Sequence, residues 1–209
     1  MYAPRPKLLA RYRGYLIAAT ILFIVGILLG ITAAIYYPEL IQQAITQLEE
    51  QLRRLGEDIF TAKLGQGIWI LFLHNLKALV MIAVLGLILG IYPAFAMLLN
   101  GLIIGVVGVM SVAASSLAGF LAGIVPHGIF EIPALLIAAS IGLRLGLAPL
   151  FNRKSSPFAA PKPNAWQGYR HELVAAGKLL IVCAALLLVA AFVEVAITPL
   201  VMGLFGLGI

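Results

Sequence analysis

The chain has 209 residues, of which 63% are hydrophobic and only 11% are charged, and its mean hydropathy is +1.09. Soluble domains are about 45–50% apolar and about 25% charged, so this composition excludes a soluble globular protein and indicates a polytopic membrane protein. The net charge of +6 does not indicate nucleic-acid binding, because the basic residues flank apolar segments and fit contact with anionic lipid headgroups. A single cysteine, Cys183, excludes an intramolecular disulfide framework and a cysteine-based zinc ribbon.

The N-terminal segment combines a basic tail with an apolar span. The first 14 residues contain four basic side chains and no acidic one, namely Arg5, Lys7, Arg11 and Arg13. Residues 15–36 follow as an apolar run that is long enough to cross a hydrocarbon core of about 30 Å. The run is too long for the apolar region of a cleaved signal peptide. We therefore interpret it as a signal anchor with the basic tail in the cytoplasm.

Residues 38–60 have the pattern of an external amphipathic helix. Apolar residues recur there at spacings of 4, 3, 4, 3 and 4, namely Ile41, Ile45, Leu48, Leu52, Leu55 and Ile59. This association seam predicts either a helix that lies on the membrane or on its own bundle, or a short coiled coil with a second copy or a partner. Residues 38–67 contain five acids and three bases, which fits the side opposite the basic tail.

The rest of the chain predicts four more spans and one short element. The spans cover residues 68–91, 94–113, 129–151 and 173–202. Residues 117–125 are too few to cross a membrane and end at Pro126, so we predict a re-entrant half-helix there. Residues 152–172 form a proline-containing basic loop, which the positive-inside rule places in the cytoplasm.

These elements predict an all-α fold, a polytopic membrane helix bundle. It has five transmembrane helices, a re-entrant half-helix and an external amphipathic helix, within one transmembrane domain over residues 1–209. The predicted localisation is the cell membrane, with a cytoplasmic N-terminus and an external C-terminus. Both basic segments then lie on the same side of the membrane, which supports the predicted topology.

A glycine pair with the spacing Gly-xxx-Gly occurs five times, at residues 26/30, 86/90, 101/105, 119/123 and 142/146. Small residues at this spacing allow the backbones of two helices to approach closely in lipid. We expect most of these pairs to serve ordinary helix packing.

Six polar residues within apolar segments form the predicted intramembrane polar site: His74, Asn75, Asn100, His127, Glu131 and Glu194. The topology places the ionisable members in the outer half of the bilayer. A buried carboxylate there needs a partner or a proton. Three interpretations remain open: the residues satisfy one another between helices, they line a cavity for a substrate, proton or headgroup, or four of them bind zinc. Arg144 and Lys178, near the inner boundary, are expected to snorkel to headgroups.

The zinc interpretation would use His74, His127, Glu131 and Glu194, but no pair has the H-E-x-x-H spacing. The chain also has no G-x-S-x-G motif and no phosphate-binding glycine loop. We therefore assign no catalytic residue, no metal and no cofactor.

The stretch PHGIFEIPALLIAASIGLRLG, residues 126–146, resembles the signature of the stage II sporulation protein M family. Similarity to this family extends to HN at 74–75, NGLIIG at 100–105 and AAFVEVAITP at 190–199. These motifs follow one another in the expected order over most of the chain. The N-terminal span, the heptad segment and the basic loop match the family in position only.

The resemblance implies an integral membrane protein of about five spans. In endospore formers, such proteins help to assemble a peptidoglycan-remodelling machine at the septum and anchor its hydrolases without cutting glycan themselves. The family also occurs in bacteria and archaea that form no spores.

Two functions follow as expectations. The first is a membrane scaffold or assembly protein that forms a homodimer and organises other membrane or envelope proteins. It would use the heptad helix outside the membrane and the glycine-rich faces within it. The alternative is a transporter or channel-like protein for a small solute or ion, with an outer-half polar cavity built on His127, Glu131 and Glu194. The expected partners are the lipid bilayer and a second copy, and no nucleic acid.

Overall fold

The structure is a computed structural model, and it describes residues 8–46, 59, 63–151 and 165–204. Every regular element in these ranges is a helix, which confirms the predicted all-α fold class. Five helical segments among them are long and apolar enough to cross a membrane, as predicted. Leu48, Leu52 and Leu55 of the predicted seam, and most of the predicted basic loop, lie outside the described residues.

The described helices occur in the following order along the chain. A 3₁₀ turn at Leu8–Arg11 precedes α1, and the α-helices are α1 Arg13–Tyr36, α2 at residues 38–46, α3 Leu64–Leu85, α4 Ile91–Ala114, α5 Leu117–Phe151, α6 Ala165–Phe192 and α7 Thr198–Leu204. A single π-helical turn, Val193–Ile197, joins α6 to α7. The membrane-spanning segments are α1, α3, α4, α5 and the combined stretch from Arg170 to Leu204.

The half-helix predicted at residues 117–125 is not a separate element, because α5 runs without a break through Pro126. A proline inside a helix removes one backbone hydrogen bond. Ending the helix there would instead leave up to four backbone N–H and four C=O groups without partners, which lipid cannot satisfy. Continuing the helix through Pro126 therefore leaves fewer backbone groups without a hydrogen bond than ending it there. The apolar part of α5 becomes a single stretch, Leu117–Leu147.

Two of the glycine pairs hold α1 against α4. A β-carbon at Gly26 or Gly30 would collide with backbone atoms of Leu98 and Leu102, and one at Gly101 or Gly105 would collide with the backbone of α1. The first pair meets the third in the same chain direction, so α1 and α4 are parallel. Their backbones touch because no side chain separates them.

Two further glycine pairs bring α5 against the end of α3 and the turn at residues 86–90 that follows it. Gly86 lies against Gly142, and Gly146 lies against the backbone of Gly86 and Gly90. Four of the five glycine pairs are therefore used inside one chain, which confirms the packing interpretation. Backbone atoms of the same chain already cover these four pairs, so they are not available to a second copy. The expectation that glycine-rich faces within the membrane join two copies is therefore wrong for these four pairs.

The turn between α3 and α4 comes before residues 92–93, where the predicted spans place it. It occupies residues 86–90, and Tyr92 and Pro93 lie in the first turn of α4. Proline is tolerated there because the first N–H groups of a helix have no intrahelical partner. Gly90 has a φ of 69°, in the left-handed region that glycine adopts without steric cost, and thus allows the chain to reverse.

Helix α5 is the centre of the bundle, since it packs against α1, α3, α4 and α6. Its inward residues are small, including the fully buried Ala134, Ala138 and Ala139. Large apolar side chains such as Ile17, Leu28 and Val80 are exposed instead. This distribution fits a bundle whose solvent is lipid and whose interior is joined by close contacts of small residues.

One end of the bundle carries a buried ionic network. Arg144 of α5 donates to both carboxylate oxygens of Glu172 on α6, at 2.5 and 3.2 Å, and to the backbone oxygen of Arg11 at 3.0 Å. The Tyr12 hydroxyl donates to Glu172 Oε1 at 3.0 Å. The expectation that Arg144 reaches headgroups is wrong, because its side chain is bound within the protein. Lys178 is exposed.

Tyr12 is fully buried in this network, with the Arg144 guanidinium 5.2 Å from the centre of its ring. Burial, followed by the neighbouring Glu172 carboxylate, raises the pKa of the Tyr12 hydroxyl well above its usual range. The phenol therefore remains a hydrogen-bond donor to Glu172. The network joins the segment before α1, the end of α5 and the start of α6 at one end of the bundle.

Candidate functional site

The candidate site begins with a contact between α5 and the π-helical turn. His127 Nδ1 lies against Glu194 Oε2, and both atoms are buried. Apart from each other, neither atom has a hydrogen-bond partner among the described residues. The pair joins two elements that are far apart in sequence. It therefore satisfies two of the six predicted polar residues through one another.

The wide π turn sets the position of Glu194. Thr198 directs both its backbone N–H and its hydroxyl to the carbonyl of Val193, with the hydroxyl contact at 3.2 Å. This five-residue spacing turns the segment after Phe192 relative to an ordinary α-helix. Such π turns occur frequently at functional sites. Residue pattern alone offers no signal for this turn, so the partner of His127 was not assigned from sequence.

A cavity of about 150 Å³ lies beside the His127–Glu194 pair, between α1, α4 and α5. Its polar lining comes from Asn100, His127 and Glu131. Its apolar lining comes from Phe23, Ile103, Ile104, Ile124, Ile132 and Leu135. The Asn100 amide donates to the backbone oxygen of Ala96 at 2.8 Å, which leaves its side-chain oxygen free to accept.

A second, larger pocket of about 430 Å³ adjoins the first. It lies between α4, α5 and α7, and its lining includes Ser111, Ser115, Phe120, His127 and Met202. His127 and Ile124 line both spaces.

The cavity lies near the middle of the three helices that line it. Glu131 is next to residue 132, the midpoint of the apolar stretch Leu117–Leu147. Phe23 and Asn100 are likewise close to the middle of α1 and α4. The outer-half position assumed that α5 began after Pro126. Because α5 begins at Leu117, Glu131 moves to the middle of its helix.

The structure does not bring all six predicted residues together. Asn100, His127 and Glu131 line one cavity, and Glu194 contacts His127. His74 is exposed and Asn75 half-buried on α3, and neither lines the cavities described above. The four-residue zinc set is therefore not assembled. Within the described ranges, no three His, Cys, Asp or Glu side chains are close enough to hold a metal ion.

A family model described as Stage II sporulation protein M matches residues 19–199. The chain belongs to the stage II sporulation protein M family. This confirms the resemblance, and the matched region contains both the cavity and the glycine pairs. An uncharacterized protein of Methanocaldococcus jannaschii is 30% identical over 130 residues, which are 60% of this chain and 67% of that protein. No solved structure matches the chain.

Sequence reasoning missed the partner of Arg144 in this stage II sporulation protein M chain. Glu172 falls at the end of the predicted basic loop, where an acidic side chain has no special meaning. The available signal was positional: an arginine near the end of one span and an acid near the start of the next lie at the same end of a bundle. In the structure, these two side chains form a largely buried ion pair.

Proposed function

We propose that this member of the stage II sporulation protein M family is a membrane scaffold. It would self-associate through α3 and gather other membrane or envelope proteins around it. The observation that carries the proposal is the position of His74 and Lys77, two polar side chains on the outside of a membrane-spanning helix. Exposed polar groups at that depth favour contact with protein instead of lipid.

The depth of these residues follows from helix geometry. Helix α3 has 22 residues, and His74 lies at its middle. Lys77 is about 4 Å further along the axis, which leaves it about 11 Å from the boundary of a hydrocarbon core of about 30 Å. A charge placed there in lipid costs about 3 kcal/mol or more. Burial of α3 against another protein removes that cost.

A second copy of the chain suits this face. All copies share one orientation in the membrane, so a twofold axis along the membrane normal sets α3 parallel to its counterpart, with equal residues at equal depth. Lys77 then lies one helical turn from His74 of the other copy. Lysine is a donor and neutral histidine can accept, so the face is self-complementary. The remaining exposed residues of α3 include Leu73, Val80 and Val84.

The predicted seam on α2 supports association only in part. Ile41 and Ile45 are half-exposed on α2, as a seam requires. Ile59 is buried, and its backbone oxygen and side chain lie against Gly67 at the start of α3. We therefore give the membrane face of α3 the main role, with α2 as a second contact.

The proposed orientation places the ionic network on the cytoplasmic side. Tyr12, Arg144 and Glu172 lie at one end of the bundle, and both basic segments adjoin that end along the chain. The positive-inside rule assigns this end to the cytoplasm and the end of α7 to the exterior.

Loss of the α3 polar face is expected to separate the copies. The double variant His74→Leu with Lys77→Leu removes the donor and the acceptor and leaves an ordinary lipid-compatible helix. We expect the wild type to be a dimer and the variant a folded monomer. The measurement is the mass of the protein in lipid nanodiscs by light scattering, with helicity from circular dichroism as the check on folding.

Lys178→Leu is the matched control, since it removes an exposed lysine from another membrane helix and should leave the dimer intact. A second arm carries Leu48→Glu with Leu52→Glu, which introduces charge into the part of the predicted seam that follows α2 in the chain. If the seam variant abolishes association and the α3 variant does not, the proposed role of α3 is wrong. A wild type that is monomeric in nanodiscs also contradicts the proposal.

A carrier for a small solute or ion is the second candidate. The observation that favours it is the cavity beside Glu131, together with the adjoining pocket that reaches His127. This candidate requires loss of transport in Glu131→Gln with normal folding, measured in proteoliposomes.

A further inference from the structure

We propose that the cavity between α1, α4 and α5 binds one small monovalent cation, with Glu131 and the Asn100 side-chain oxygen as its ligands and His127 at its access point. The inference concerns the bundle interior and is independent of association through α3. It rests on the composition of the cavity wall, its volume and the charge balance of the surrounding residues.

The wall of the cavity contains side-chain oxygen atoms that can accept hydrogen bonds or bind a cation. Glu131 supplies carboxylate oxygens, and the Asn100 amide nitrogen is already used within α4, so its oxygen remains. The remaining polar side chain, His127, is bound to Glu194 through Nδ1. The wall is mainly apolar, but its two side-chain oxygen groups, Glu131 and Asn100, suit a hard cation that keeps some of its waters, because such ions take oxygen ligands.

The charge balance indicates a single positive charge. Four elements surround the cavity and the pair beside it: α1, α4, α5 and the π turn. α1 and α4 line it with no titratable side chain, α5 contributes His127 and Glu131, and the π turn contributes Glu194. His127 and Glu194 are bound to one another. One carboxylate, Glu131, is left in the middle of an apolar helix, where an uncompensated charge is expensive.

The volume of the cavity favours a bound ion, and not a proton alone, as the partner of Glu131. Protein interiors contain few voids larger than a water molecule, since an empty space loses packing contacts. A space of about 150 Å³, with three polar side chains in a mainly apolar wall, exceeds what a proton needs. Because water occupies about 30 Å³ in the liquid, the cavity accommodates a sodium-sized ion with a few waters. The larger pocket, which shares His127 and Ile124 with the cavity, provides a route by which the ion arrives.

Sodium is expected to stabilise the wild type specifically. The melting temperature of purified protein is measured as NaCl replaces choline chloride at constant ionic strength and constant pH. We expect a saturable rise of at least about 3 °C, because a ligand that binds only the folded state stabilises it. Glu131→Gln, which keeps the shape of the side chain and removes its charge, should abolish the rise. Glu39→Gln, at an exposed position on α2, should retain it.

Direct binding keeps the inference testable if Glu131→Gln alters folding. Radioactive sodium should bind the wild type at about one ion per chain, and Asn100→Ala should raise the concentration for half-saturation by about tenfold, the effect of losing one ligand worth about 1.4 kcal/mol. Equal melting temperatures of the wild type in sodium and choline would overturn the inference. So would a sodium response that survives in Glu131→Gln, or a wild type that responds to pH and not to sodium.

Discussion

Arg144→Ala is expected to produce the largest loss of stability of any single substitution considered, about 3–5 kcal/mol. The substitution removes the bidentate partner of Glu172 and leaves that carboxylate buried against Tyr12. It also frees the backbone oxygen of Arg11, which Arg144 binds at 3.0 Å. The start of α1, the end of α5 and the start of α6 lose their common contact. The measurement is the melting temperature of the purified protein in detergent.

Two variants separate loss of this network from loss of a positive charge. Lys178→Ala removes an exposed lysine from α6 and should leave the melting temperature unchanged. Arg144→Lys keeps the charge but cannot reproduce the paired contacts of a planar guanidinium, so an intermediate melting temperature is expected. An Arg144→Ala variant that melts with the wild type would show that Glu172 finds another partner or a proton at little cost.

Gly101→Ala is expected to have the second largest effect, a destabilisation of about 1–3 kcal/mol or more. A single added methyl group would overlap the backbone oxygen of Phe23 and approach Gly26. Backbone atoms cannot rotate away as a flexible side chain can, so α1 and α4 must separate along their whole contact. The expected results are a lower melting temperature and faster proteolysis of the variant.

Gly177→Ala is the matched control, because nothing lies within 4 Å of the position that its methyl group would occupy. It also replaces a glycine within a helix, and alanine is the better helix former by about 1 kcal/mol. We expect this variant to be as stable as the wild type or more so. If both substitutions lower the melting temperature equally, close contact between α1 and α4 is not what stabilises the bundle.

Some features of the fold were accessible from local sequence properties. The number of spans follows from apolar runs that each approach the thickness of a membrane. Glu131 and Glu194 were recognisable as unusual because an acidic residue in such a run is expensive wherever the helix packs. The glycine spacing predicted close packing of helices. In each case the physical cause lies within one segment of the chain.

Other features depended on neighbours that the sequence does not name. Five glycine pairs offer many pairings, and the structure selects 26/30 with 101/105 and 86/90 with 142/146. Apolar helices present similar surfaces to one another, and in lipid no hydrophobic force discriminates between them. The polar site was predicted as one group of six residues. The structure divides it into a group around the cavity and a pair on α3, of which His74 is exposed and Asn75 half-buried.

The sequence by itself determined that this is an all-helical membrane protein of five spans in the stage II sporulation protein M family, because apolar length and motif order are properties of the chain alone. Tertiary contacts determine that α5 continues through Pro126, that Arg144 binds Glu172, and that Glu131 and Asn100 line one cavity near the middle of their helices. Those outcomes depend on whether a neighbouring helix satisfies a backbone or polar group that lipid leaves without a partner.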